Sequence, residues 1–268
     1  LDHGATWTLM PGTANFWNVS KVVCDAAGNL YVGCNSISNN SGIQRYTKAT
    51  STWTNITPTG LDPRVPDIEL SSTGRLHIVC GYYNTAAGSS GYRYTDNPAT
   101  VTSSGWTSPA TTFTTQYNVA LASNGNTLYA LPSGSTWNVT TMYKSTNGGA
   151  NWSATGTTPA FTSSQAWYCM AVAVDPNNAN NVIVGSLDCY KTTNGGTSWT
   201  KISNWVGTTG QYVHADQQII TWRNNNVVLF GSDGGIHYSA NGGTTITDRN
   251  VGLRLKQFYS VAIHPTST

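Results

Sequence analysis

Short runs in which apolar and polar residues alternate recur along the whole chain, each too brief for a helix and bounded by Gly, Asn, Pro or Thr. The unit between residues 168 and 202 shows the arrangement most fully. It reads Tyr168-Cys-Met-Ala-Val-Ala-Val174, then Asn181-Val-Ile-Val-Gly185, then Cys189-Tyr-Lys-Thr192, then Trp199-Thr-Lys-Ile202. A period of two over runs of this length predicts four β-strands, and Asp175-Pro-Asn-Asn178 predicts the first turn between them. Corresponding units begin near Val19, Pro66, Asn118 and Gln217, and one more first-strand pattern covers residues 258–263.

A repeated turn punctuates the strands. Ser145-Thr-Asn-Gly-Gly-Ala-Asn-Trp152, Thr192-Thr-Asn-Gly-Gly-Thr-Ser-Trp199 and Ser239-Ala-Asn-Gly-Gly-Thr-Thr-Ile246 are copies of one box, and Leu1-Asp-His-Gly-Ala-Thr-Trp7 is a partial fourth. Weaker copies end at Trp53 and Trp106. The anchors at 7, 53, 106, 152, 199 and 246 are separated by 46, 53, 46, 47 and 47 residues. A fixed period of this size is the mark of a repeat architecture, and four short strands per period make a propeller blade. The expectation is an all-β propeller of four-stranded blades, five of them complete. Partial blades flank them, with a lone outer strand at Trp7 and a lone inner strand at Phe258. On this reading residues 1–268 form one propeller domain that is a piece of a longer chain.

The boxes resemble the S-x-D-x-G-x-T-W pattern of Asp-box (BNR) repeat propellers. In that pattern an Asp or Asn side chain bonds nearby backbone N–H groups, Gly adopts the left-handed turn, and Trp packs between blades. Asn147, Asn194 and Asn241 stand in the Asp position. A narrower resemblance covers the last fifth of the chain. His214-Ala-Asp-Gln-Gln218, Gly231-Ser-Asp-Gly-Gly235 and Gln257-Phe-Tyr-Ser-Val-Ala-Ile-His-Pro265 resemble signatures of large extracellular repeat proteins, among them xyloglucan-hydrolysing enzymes and exported surface proteins of gliding bacteria. Gln218 stands where that pattern has His.

Composition narrows the partners. Charged residues make up 9% of the chain, 13 basic against 11 acidic, and no run of Lys or Arg forms a footprint for nucleic acid. No apolar stretch is long enough to span a membrane as a helix. The five cysteines show no CxxC spacing, so neither a metal nor a cofactor is expected. An odd number cannot all pair internally, although Cys169 and Cys189 bracket one hairpin.

Candidate chemistry gathers near the starts of the first strands. Aligning the units places Asn18, Arg64, Gln116, Tyr168, Asp216 and Gln257 at equivalent positions, which predicts a polar ring at one mouth of the channel. Arg64-Val-Pro66 is similar to the R-I-P motif of sialidases, whose chemistry requires three arginines and a Tyr–Glu pair. Glu69 is the chain's only Glu and lies five residues from Arg64, which leaves that chemistry unsupported. Inverting glycoside hydrolysis needs two carboxylates. Asp216 with Asp233 or Asp188 would be the pair, against the plainer reading of turn-capping acids. His214 shares a strand face with Asp216 if the strand begins there, and would orient it or bind a metal, against the plainer reading of a histidine hydrogen-bonded near the surface. Trp17, Trp137, Trp167, Trp205 and Tyr212 lie outside the box positions, where exposed rings stack on sugars or simply fill space between blades.

These readings predict an extracellular or surface binding module. It would present Trp17, Arg64, Trp167, Tyr168 and His214 to a glycan or a partner protein. An inverting glycoside hydrolase acting on β-glucan through Asp216 and Asp233 is the alternative.

Overall fold

The computed structural model describes residues 5–13, 16–37, 40–207 and 210–253. Nineteen strands form five antiparallel sheets in chain order. Blade 1 holds β1 (Val19–Cys24), β2 (Leu30–Cys34), β3 (Gly42–Thr47) and β4 (Thr52–Asn55). Blade 2 holds β5 (Ile68–Leu70), β6 (Leu76–Cys80) and β7 (Gly91–Thr95), with its fourth strand reduced to the bridge between Tyr94 and Thr107. Blade 3 comprises β8 (Val119–Asn124), β9 (Thr127–Pro132), β10 (Thr141–Ser145) and β11 (Ser153–Thr157). β12 (Ala171–Asp175), β13 (Asn178–Gly185), β14 (Cys189–Thr192) and β15 (Thr200–Lys201) make blade 4. Blade 5 has β16 (Gln217–Trp222), β17 (Val228–Ser232), β18 (Gly235–Ser239) and β19 (Thr247–Asp248). Within every sheet, consecutive strands are neighbours. This is the expected propeller, and among the described residues only two three-residue 3-10 turns interrupt it.

Successive blades pack face to face through four apolar clusters, one per interface. Alternation along each inner strand does this. In β12, Val172 and Val174 join the cluster shared with blade 3, while Ala171 and Ala173 join the cluster shared with blade 5. A strand buried on both faces explains why Ala171–Asp175 is almost continuously apolar. Each Val, Leu or Ile so buried contributes about 1.5–3 kcal/mol.

The Asn-Gly-Gly boxes close the β3–β4 type of turn. In blade 3 the Ser145 hydroxyl accepts the Gly149 N–H at 2.9 Å, and Asn147 Oδ1 accepts the Asn151 N–H at 2.9 Å. The same two bonds recur from Thr192 and Asn194, and from Ser239 and Asn241. Gly149 has φ +83°, and a Cβ there would lie 1.8 Å from the Tyr92 hydroxyl oxygen, so only glycine fits. Trp152 packs edge-on against Tyr92 and Phe113 of the preceding interface, at centroid distances of 5.2 and 4.9 Å.

Two strand expectations need correction. Tyr168 and Cys169 do not open the inner strand of blade 4, because their N–H groups both bond the Gln165 carbonyl in a turn and pairing begins at Ala171. The segment around Trp7 forms no strand among the described residues, and Trp7 is exposed. Residues 258–263, expected as a further inner strand, and Gln257 lie outside the described residues.

Candidate functional site

Chain direction sorts the loops onto two ends. The turns between first and second strands share one end with the Asn-Gly-Gly boxes, to which they are bonded: Gly148, Gly195 and Gly242 donate to Asn126, Asn180 and Asn226. Loops joining second to third strands, and connections between blades, therefore share the opposite end. Every candidate residue among those described lies there. Among the described residues, so do seven of the nine non-glycine residues with positive φ, including Tyr83, Trp137 and Asp216. Strained backbone of this kind collects at binding surfaces.

Tyr168 and Asp233 form the centre. The Tyr168 hydroxyl donates to Asp233 Oδ2 at 2.5 Å, and Gln218 Nε2 donates to Asp233 Oδ1 at 3.2 Å. Gln218 thus has a definite task in place of the His that the related pattern carries. The hydrogen bond to Asp233, then burial and the charges of Asp233 and Asp216, push the Tyr168 hydroxyl up to about 12. Asp216, at φ +66°, accepts from the Cys169 thiol at 3.4 Å. Burial first, together with the Asp216 charge, pushes that thiol up to about 12, which keeps it protonated. The turn into blade 4 thus meets both Asp216 and Asp233 of blade 5.

His214 does not orient Asp216. The left-handed backbone at Asp216 breaks strand alternation just before β16, so the two side chains do not share a strand face. Instead Nδ1 of His214 donates to the Ala215 carbonyl at 3.0 Å, and the ring packs on Gly234, where a Cβ would lie 2.2 Å from it. Asp188 is also set apart, paired with Lys201 at 2.7 Å.

An aromatic array continues from Tyr168 across blades 2 to 4. Trp167 and Tyr168 are in ring contact at 5.4 Å, and the Tyr82 hydroxyl donates to the Trp167 carbonyl at 3.0 Å. Trp137 is the hub, with Tyr82, Tyr83 and Tyr117 around it at 5.7, 5.8 and 5.3 Å. Tyr83, Trp167 and Tyr168 are exposed. The tyrosines at 82, 83 and 117 were absent from the sequence-derived set. The Tyr-Tyr-Asn run at 82–84, in a second-to-third-strand loop, was the signal for the first two.

Arg64 stands on the same end but is already engaged. Its guanidinium donates to both Asp62 oxygens, at 2.8 and 2.5 Å, and to Thr85 Oγ1 at 2.9 Å. Asp62 is held below the usual carboxylate range: burial opposes its charge, and the bonds from Arg64 overcome that penalty. Trp17 is exposed at the same end of blade 1, and makes no ring contact with the array among the described residues.

Cavities also lie elsewhere. One of about 380 Å³ follows the central channel, where Lys21 bridges Asp67 and Glu69 at 3.1 Å each. Another of about 670 Å³, between blades 4 and 5, is bordered by Lys191 and Lys201. Both of those ammonium groups are occupied, by the Gly242 carbonyl and by Asp188. Among the described residues no group of three or more His, Cys, Asp or Glu is placed to hold a metal ion. All five cysteines are free thiols.

No protein-family profile matches the sequence, and no curated protein does. Solved structures match in fold. The extracellular domain of a putative one-component system from B. thetaiotaomicron superposes with a TM-score of 0.59 at 12% identity, covering 83% of this chain and 27% of that one. An ancestral GH74 enzyme gives 0.56 at 16% identity, covering 89% and 32%. PorZ, a bacterial surface component of the type-IX secretion system of Porphyromonas gingivalis, gives 0.55 at 11%, covering 81% and 31%. The chain spans about a third or less of the length of these relatives in fold, and all of them are β-propellers.

Proposed function

We propose that this propeller is an extracellular or surface-displayed module that binds a glycan on the end bearing Tyr83, Trp137, Trp167 and Tyr168, and that it is part of a longer polypeptide. The observation carrying this reading is the continuity of the aromatic array with Asp233. Exposed rings supply stacking faces for sugar rings, and a carboxylate held by Tyr168 and Gln218 is a fixed acceptor for sugar hydroxyls. The repeated Asn-Gly-Gly turns support membership of the Asp-box type. Low charge and the propeller neighbours, one described as an extracellular domain and one as a surface component, support the compartment. Among the described residues no helix is long and apolar enough to cross a membrane.

Inverting hydrolysis of a β-glucan is the second reading, favoured by the contacts of Asp233 with Tyr168 and of Asp216 with Cys169 in one turn. It requires one carboxylic acid to donate a proton to the leaving group. Asp233 accepts at both oxygens, as a base would, which leaves Asp216 to be the acid; Asp216 also accepts, from the Cys169 thiol, and this supports binding ahead of catalysis. Assays on β-glucans with the wild type and Asp216→Asn separate the two readings. Binding that survives the substitution, with no released sugar in either protein, supports the module; hydrolysis that Asp216→Asn abolishes supports the enzyme.

A further inference from the structure

Inner strands carry a strict division of labour between their two faces. One set of alternate residues packs on the preceding blade: Ile68 in β5, Leu121 in β8, Val172 in β12 and Ile220 in β16, exposed by 0, 2, 9 and 6%. The other set packs on the following blade: Val23 in β1, Ala120 in β8 and Ala171 in β12. Cross-strand pairing fixes the equivalent positions in the outermost blades. Val22 pairs with Val32 as Val172 pairs with Val184 and Ile220 with Phe230, so Val22 and Cys24 belong to the face that looks toward a preceding blade. Ile219 pairs with Gly231 as Ala171 pairs with Gly185, so Ile219 belongs to the face that looks toward a following one. Val22 is 52% exposed and Ile219 is 59% exposed. Cys24 is exposed, whereas Val174 and Trp222, its equivalents, are 7 and 8% exposed.

We propose that these two faces are the walls of a slot that receives a further four-stranded blade, donated by the same polypeptide. The walls continue the interface that already joins the five blades, with the same strand, the same alternation and the same apolar chemistry. The occupant is therefore a sheet with an inner strand of small and β-branched residues, matching β8 and β12. Donation in cis follows from that continuity, since each of the four described blade interfaces joins successive parts of one chain.

Cys24 reports on the slot directly. Residues 1–268 and the protein isolated from its source are treated, folded, with the thiol reagent DTNB. In residues 1–268 one of the five thiols reacts rapidly, and Cys24→Ser abolishes that reaction. In the source protein Cys24 reacts about a hundredfold more slowly, as expected of a site opened only by local unfolding. A thiol introduced by Ile219→Cys follows the same pattern on the opposite wall. Equal rates in the two proteins at either wall overturn the proposal. So does shielding of Cys24 in residues 1–268 that increases with protein concentration, which would make a second copy the occupant.

Discussion

Tyr168 donates its phenolic proton to Asp233 Oδ2 at 2.5 Å, so the turn entering blade 4 is tied to the β17–β18 turn of blade 5 at the mouth of the channel. The phenol is pushed up to about 12 by that bond first, and then by burial and by the charges of Asp233 and Asp216. A raised phenol pKa means that folding favours the neutral form. The bond's contribution is therefore complete below the unfolded value of about 10 and is lost as pH rises through the folded one. A difference ultraviolet titration of wild type against Tyr168→Phe should reveal one late-titrating phenolate, and Asp233→Asn should return it toward ordinary behaviour.

Gly149→Ala should be severe for a local reason. The residue must adopt φ +83° and its methyl group would overlap the Tyr92 hydroxyl. Left-handed strain and overpacking together predict a loss of about 2–5 kcal/mol. Gly74→Ala, also at φ +83° but with nothing within 4 Å of the added Cβ, carries the strain alone and should cost about 1–2 kcal/mol. Urea unfolding of both variants measures the difference.

Lys21 holds two carboxylates apart in the channel. Burial disfavours its ammonium, but the charges of Asp67 and Glu69 outweigh that penalty and raise its pKa above the ordinary value. The pairing stabilises the fold fully below the unfolded lysine value of about 10.4 and is lost as pH rises through the higher folded value. Lys21→Met leaves Asp67 and Glu69 facing each other and should cost about 1–3 kcal/mol at neutral pH, between the values for exposed and buried pairs. Glu69→Gln in the same background should recover part of the loss, as measured by thermal unfolding.

The blades were legible because their signals are local. Asn147 through its side chain, and Gly148 and Gly149 through lacking a Cβ, carry their turn geometry locally, and the 47-residue spacing between box anchors needs no tertiary information. The site was legible in part. Alignment of the units placed Tyr168 and Asp216 at the channel mouth, but not the Tyr168–Asp233 bond, which joins residues 65 apart. Left-handed residues at Tyr83, Trp137 and Asp216 depart from period two, so Tyr82 and Tyr83 were missed and His214 was given the wrong neighbour. Arg64 was found without Asp62, because a pair two residues apart in a loop leaves no periodic trace.

That pair makes a further prediction about ligand charge. With Arg64 bonded to both Asp62 oxygens, the end carrying Asp216 and Asp233 offers no unengaged guanidinium from Arg64 to an acidic sugar. Sialyllactose should show no binding by calorimetry. Asp62→Ala, which releases the guanidinium, should give measurable affinity for it.

Glycan-array screening, followed by calorimetry with the strongest binder, tests the central claim most directly. Trp167→Ala removes one exposed ring of the array, whereas Trp7→Ala removes a more exposed ring outside it. A stacking contact of about 1–3 kcal/mol predicts that Trp167→Ala weakens binding roughly tenfold or more while Trp7→Ala leaves it within about twofold. A protein that retains no glycan, or one whose affinity is unchanged by Trp167→Ala, would contradict the assignment of this face as the binding site.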